Sequence, residues 1–341
     1  MATLASNAAT LLDWAKRIDP STNSVETAIA ELLTEENAIL DDMLWKQGNL
    51  PTGHRITVRT GLPSVTWRKL NAGIPSSKST TAQVDEACGM LEAIGEVDKA
   101  LADLADNAKQ FRLSENSAFI EAMRQEMAQT LFYGDHTTAP EEFLGLAPRF
   151  STISGATNGQ NIIDGAGSGA DNTSIWLVGW GDETVYGIFP KGSKAGLSHK
   201  PTMDGTGDGA QWATDSNGNP YRAYVDHYKW DAGMALKDWR AVVRIANIDV
   251  SNLIAESSAA DLIKLLSRAI DRLPEKKMKP VFYANRTIFS MLRIQALNKS
   301  NAALSINDAL DQFGKSRKQL EFQGIPVRKV DQLLSTEAQI T

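Results

Sequence analysis

The feature that most constrains this chain is a partition of charge. Residues 47–84 contain no Asp or Glu, yet they carry His54, Arg55, Arg59, Arg68, Lys69 and Lys78. On both sides the sign reverses. Residues 1–46 hold eight acids against Lys16, Arg17 and Lys46, and residues 85–106 hold seven against Lys99 alone. The overall net charge of -6 therefore averages strongly unlike segments. Charge runs are often simply solvated, and that reading stays open. The other reading is a subunit that grips its neighbours through complementary surfaces. Within the basic stretch, Ile56-Thr57-Val58-Arg59 and Val65-Thr66-Trp67-Arg68 alternate with the two-residue period of strands. Thr60-Gly61-Leu62-Pro63 between them is a turn signal. This predicts a hairpin over those residues. A lone two-stranded hairpin is marginal in water, so this one has to dock. Arg59 and Arg68 are expected to meet acids of a neighbouring subunit, from 85–106 or from 1–46. Arg55, Trp67, Lys69, Glu92 and Glu96 complete the expected inter-subunit contacts.

The 341 residues are 42% hydrophobic and 22% charged, ordinary for a globular chain of two domains or one elaborate one. This composition excludes disorder for most of the length, and the mild acidity argues against a dedicated nucleic-acid binder. The single cysteine, Cys88, forms no internal disulfide and no thiolate metal cluster. Residues 1–17 lack the pattern of a signal peptide, and no apolar run is long enough for a membrane span. A soluble, cytoplasmically made protein is expected.

Spacing predicts the elements. Residues 1–46 read as helical, either as a surface helix with a solvated acidic face or as an arm on a neighbour. Leu91, Ile94, Val97, Leu101 and Leu104 suggest a helix in 85–106, which Gly89 and Gly95 weaken. The clearest helix is 114–133, with Ser114 as its N-cap and Ile120, Met123, Met127 and Leu131 on one face. Strands are expected at 175–178, 185–188, 221–225 and 241–245. A helix at 259–272 follows, then a strand at 280–283, then a helix capped by Asn285. A last strand pair, 319–322 and 325–328, turns at Gln323-Gly324. The pattern is α+β, without a βαβ rhythm or an internal repeat.

Catalytic signals are absent from the sequence. No His among His54, His136, His199 and His227 lies at metal-ligand spacing from another His or from Cys88. Gly165–Gly169 and Gly205–Gly209 superficially resemble phosphate loops, but neither joins an apolar strand to a periodic helix, and both read as surface turns. Asp204 and Asp208 miss the spacing of a calcium loop. Cys88 reads as a small packed residue. No catalytic, cofactor-binding or metal residue is expected, and weight shifts toward a structural role.

Longer runs carry a resemblance. Ile175-Trp176-Leu177-Val178-Gly179-Trp180-Gly181 leads through Val185-Tyr186-Gly187-Ile188-Phe189-Pro190-Lys191-Gly192. His227-Tyr228-Lys229-Trp230-Asp231-Ala232-Gly233 and Asp238-Trp239-Arg240-Ala241-Val242-Val243-Arg244-Ile245 follow. With Tyr133-Gly134-Asp135, the run Pro140–Phe150, and Gly324-Ile325-Pro326-Val327-Arg328, they resemble the major capsid proteins of short-tailed double-stranded-DNA bacteriophages of the epsilon-fifteen type. The resemblance implies the α+β fold of tailed-phage and herpesvirus shells. On that fold 1–46 is the N-terminal arm, 47–84 the extended β-hairpin loop, 85–149 the peripheral domain with its spine helix and 150–314 the axial domain. Residues 315–341 are then C-terminal strands returning to the peripheral domain. The implied function is self-assembly into pentamers and hexamers of an icosahedral shell enclosing DNA, within a virion assembled in the host cytoplasm. The implied partners are further copies of the chain, scaffolding, portal and cement or decoration proteins, and packaged DNA touched non-specifically, with no membrane and no cofactor. An encapsulin-like compartment shell and a soluble α+β enzyme are the rival readings.

Overall fold

In the computed structural model the described residues are 34–104, 108–153, 157–202, 209–215, 217–255, 260–297, 304–310 and 316–341. Most of the expected arm, 1–33, and the Asp204–Asp208 loop lie outside them. In chain order come α1 (Ile39–Asp42), β1 (Trp45–Gln47), β2 (Gly53–Gly61), β3 (Thr80–Ala87), β4 (Gly89–Asp98), α2 (Lys99–Leu104), α3 (Ala108–Tyr133) and α4 (Leu146–Arg149). Next are β5 (Ile162–Asp164), β6 (Asn172–Trp180), β7 (Val185–Phe189), β8 (Ser198–Thr202), β9 (Gln211–Thr214), β10 (Pro220–Leu236) and β11 (Val242–Asp249). The chain continues with α5 (Val250–Ile254), α6 (Leu262–Ile270), β12 (Lys279–Ala284), α7 (Arg286–Leu297), β13 (Leu304–Leu310), β14 (Ser316–Phe322) and β15 (Ile325–Lys329). Two units emerge. One contains Met90–Ala128 and Gly196–Asp231, and the other Glu36–Gly89, Gln129–Ala195 and Ala232–Thr341.

In the first unit, β10 pairs with β4, β8 and β9. Among the described residues the expected helix in 85–106 is instead mostly strand, the end of β3 and all of β4, with 99–104 helical. Its burial alternates: Gly95 and Val97 point inward, while Met90 and Ile94 stay exposed. The apparent helical spacing of Leu91, Ile94 and Val97 is a coincidence that the two-residue period overrides. Gly95 lies so close to the Phe119 ring that a Cβ would sit 3.1 Å from it. The helix α3 begins six residues before the expected start, so Ser114 lies inside it rather than at its N-cap position. Ala108, Lys109, Gln110 and Arg112 are strong helix formers that extend it N-terminally. The methionine stripe is core, with Met123 and Met127 buried. Asp226 on β10 ties this unit together. Its carboxylate accepts from Arg112 at 3.0 Å and from His199 at 2.8 Å. Tyr228 stacks between His199 and Phe119.

The second unit is built around β6, buried along its whole length. It pairs antiparallel with β11 and with β12, and β12 pairs parallel with β15. An apolar run of this kind, rather than alternation, marks a strand covered on both faces. Helices α6 and α7 contribute Leu262, Leu266, Ala269, Ile288 and Leu292 to the core that Leu177, Ile245 and Phe282 share. Asp261 caps α6, and Asn285 caps α7 as expected, its Oδ1 accepting from the Ile288 N–H at 2.9 Å. The β14–β15 turn also falls where expected, with Gln323 and Gly324 both at positive φ. This is the geometry that two-residue hairpins require. Gly165–Gly169 is more than a surface turn. The N–H groups of Gly165 and Gly167 bond Ala246 and Asn247 where β11 bulges, and a Cβ at Gly167 would lie 2.6 Å from the Asn247 carbonyl oxygen.

A buried carboxylate helps to fasten the C-terminal segment, which Asn247 also holds at Ile340 and Thr173 at Leu334. Glu337 accepts from Tyr133, Ser174 and Arg244, and its own N–H bonds the Asn172 carbonyl. Burial beside Glu337 drives the Tyr133 phenol far above its usual range. Arg244 lies over the Trp176 ring and is 5% exposed at its side chain.

Candidate assembly surface

A hairpin does form, but not the expected one. β2 pairs with β3, from Gly53 opposite Ala87 to Gly61 opposite Thr80. Val65–Arg68, expected as the second strand, belongs instead to a long loop, 62–79. Pro63 and Pro75 explain the difference. Each removes a donor that a ladder position could use, which weakens pairing of the chain at both ends of the loop. Local order inside the loop comes from a turn at 69–72, where Asn71 has a φ of 64° and Arg68 donates to the Ala72 carbonyl at 3.1 Å.

The loop is out in solvent. Every residue from 62 to 78 is exposed, including the large apolar side chains Leu62, Val65, Trp67, Leu70 and Ile74. Trp67 is fully exposed, at 101%. Arg68, Lys69 and Lys78 stand among them with no acid in the segment. Single exposed apolar residues are ordinary, but a run of five on one protruding loop marks an association surface. With its cations, it suits a partner that is apolar and acidic.

The root, by contrast, is fixed. Ile56 is buried with Tyr186, Ile188 and Ala235, and Val58 and Cys88 pack beside them. Cys88 is thus a packed residue, as expected. His54 bonds Tyr186 at 3.1 Å, and burial followed by repulsion from Lys46 and Lys237 lowers the imidazole pKa. Glu86, on β3, takes a two-pronged bond from Arg149 at 2.6 Å on each oxygen. The anchoring pair Glu86–Arg149 and the His54–Tyr186 contact escaped the sequence reading. The sequence carries no local signal for them, because β3 has no apolar alternation that would mark Glu86 as buried.

The expected contact residues separate into two groups. Arg59, Trp67, Arg68 and Lys69 are exposed on the hairpin and its loop. Arg55 is engaged within the chain by Asp85, at 2.6 and 2.7 Å, and their hydrogen bond holds the Asp85 carboxyl below its ordinary range. Glu92 and Glu96, in the other unit, also have partners in this chain. Glu92 meets His227 at 3.1 Å and Lys229 at 3.3 Å, and chiefly the His227 bond lowers its pKa. Glu96 accepts from Tyr221 at 2.6 Å. Asp98 bonds the Ala100 N–H, and Asp103 faces Lys99. The acidic run 85–103 is therefore largely neutralised locally. Among the described residues no group of His, Cys, Asp and Glu is arranged to hold a metal ion.

Comparison with known proteins places this geometry. A family model described as "Major capsid protein GP7" matches residues 21–341. A chain in the cryo-EM structure of bacteriophage Epsilon15 is 35% identical, with a TM-score of 0.73, over 100% of this chain and 99% of that one. The bacteriophage JBD30 capsid is 10% identical, with a TM-score of 0.49, over 92% of this chain and 99% of its own. The SrpI encapsulin of Synechococcus elongatus is 10% identical, with a TM-score of 0.43, over 70% of this chain and 96% of its own. No curated protein matches. The family match over nearly the whole length, with a 35%-identical phage relative, shows that the chain belongs to the major capsid protein GP7 family, the shell proteins of phage virions.

Proposed function

We infer that this chain is the repeating subunit of an icosahedral phage head and that the loop 62–79 is its grip on the next subunit. The role is association rather than catalysis. Copies meet head to tail through heterologous contacts that close into pentamers and hexamers, and modest contacts repeated around the shell become collectively strong. The observation that carries this reading is the loop, exposed from 62 to 78, apolar and acid-free, on a root tied into the second unit. Local pairing of the 85–103 acids shifts the emphasis from charge to burial. Leu62, Val65, Trp67, Leu70 and Ile74 supply the contact area, and Arg59, Arg68 and Lys69 steer and align it. Scaffolding, portal and decoration proteins are further partners, and packaged double-stranded DNA meets the inner surface without sequence reading. The test is the Arg59→Glu/Arg68→Glu double variant. It is expected to give a folded subunit, by circular dichroism, that makes no shells under the electron microscope. Normal shells from this variant would remove Arg59 and Arg68 from the grip.

A further inference from the structure

We propose that Arg149 is a positioning residue that sets the roll of the β2–β3 ribbon and so decides which way the 62–79 loop presents Trp67. This rests on the reading of that loop as the subunit's grip. β2 is held at the root, where the Asn49 side chain also bonds the Arg55 N–H and carbonyl, but β3 has little to hold it. β3 is exposed at every residue from Thr80 to Ala87 except Glu86. On the face shared by the cross-strand pairs His54–Glu86 and Ile56–Val84, two attachments lie side by side across the ribbon's width. On the β2 side, Ile56 and His54 rest on Tyr186 and Ile188. The Ile56 contacts are apolar, non-directional and permit rocking, and the single His54–Tyr186 bond is a pivot that sets distance more than orientation. On the β3 side, Glu86 is held by Arg149 through two parallel bonds of 2.6 Å. A planar guanidinium gripping a planar carboxylate fixes orientation as well as distance.

Arg149 is itself immobilised. Its Nε donates to the Gly145 carbonyl and one terminal nitrogen to the Leu144 carbonyl, both at 3.1 Å. Its own carbonyl accepts from Asn158 at 2.9 Å. The side chains of Arg149 and Glu86 are only 10% and 6% exposed, so water does not loosen the fork. Two attachments on opposite strands, a single-bond pivot and a two-pronged fork, fix rotation about the ribbon's long axis. A ribbon free to roll would present the same loop at a spread of angles, and each misaligned copy would meet its neighbour with the wrong side chains.

Stability and positioning separate in the Glu86→Met/Arg149→Met pair. Replacing both charges by apolar side chains leaves no orphaned ion and commonly preserves stability, yet it removes the directional fork. The experiment places spin labels at Ser76→Cys and Lys264→Cys in a Cys88→Ala background of the unassembled full chain. Electron–electron distance distributions are then compared between the parent and the double methionine variant, alongside melting temperature and shell yield. The expected result is a melting temperature lowered by only a few degrees, because the Gly145 and Leu144 carbonyls lose the Arg149 donors, with a broadened distance distribution and a shell yield lowered about tenfold, the loss of one modest contact per subunit. Arg149→Lys, which keeps the charge but not the fork, is expected to fall in between. An unchanged distribution in the double methionine variant overturns the positioning role, whatever the yield. A broadened distribution with full shell yield leaves the positioning role standing and overturns the reading of the loop as the grip.

Discussion

Trp67→Ala isolates the interface from the fold. Trp67 is fully exposed in the subunit and has no ring partner there, so truncation leaves the isolated chain's stability within about 0.5 kcal/mol of the parent. In the shell the effect is large. A Trp side chain going from full exposure to burial removes about 200 Å² from water, which at about 25 cal/mol per Å² is roughly 5 kcal/mol as an upper bound. Ordering and imperfect fit reduce that, and truncated interface anchors typically cost about 2–4 kcal/mol. In the proposed head-to-tail ring each subunit gives one loop and receives one, so the loss per subunit is that of one contact. At about 1.4 kcal/mol per decade, the concentration needed for assembly rises roughly 30- to 700-fold. The assay is a concentration series by sedimentation velocity, with thermal melts of the unassembled subunit as the control. Assembly at the parent's threshold, with Trp67 gone and the fold intact, would refute the reasoning.

Three further predictions concern the scaffold beneath the loop. Glu337→Gln leaves Arg244 as a buried, uncompensated cation beside Ser174 and Tyr133, which costs about 3–5 kcal/mol. At roughly 2–4 °C per kcal/mol for a unit of this size, calorimetry should show a drop of about 6–20 °C, and a shift under one degree would contradict the keystone role. Asn285→Ala removes the α7 cap at Ile288 and the bonds to Thr173 and Ser335. Chemical denaturation should lose about 1–3 kcal/mol, with the m-value unchanged. Asp238 resists ionisation through burial, but bonds from Arg240 and Lys276 outweigh this and hold its pKa at about 2. A carboxyl depressed on folding contributes stability above its unfolded pKa of about 4 that is lost as pH falls through the folded value. The melting temperature of the parent should therefore fall more steeply than that of Asp238→Asn between about pH 4 and pH 2, and parallel curves would remove Asp238 from acid sensitivity.

The readable elements were those whose signal is local. Asn285 before an apolar helix and Gln323-Gly324 between alternating strands each carry their instruction within a few residues, and both formed where expected. Leu177 and Phe282 lie in apolar runs long enough to show buried strands. The hairpin was legible as a hairpin, because Ile56-Thr57-Val58-Arg59 alternates, but its partner was not. β3 is exposed on nearly all its length, so Thr80–Ala87 has no core face to impose a pattern. β4 misled for the opposite reason. Its inward positions 91, 93, 95 and 97 are occupied by Leu, Ala, Gly and Val, and the exposed Ile94 completes a false helical stripe. The candidate surface showed itself through the missing acids of 47–84, whereas the Glu86–Arg149 root joins residues 63 apart and has no local trace.

The most direct test of the central claim is a cryo-microscopy map of the shell formed by this chain, read at Trp67. Trp67, with Val65 and Leu70 beside it, is expected to be buried against a neighbouring copy around every capsomer. A closed shell in which Trp67 remains in solvent would contradict the claim that this loop holds the subunits together.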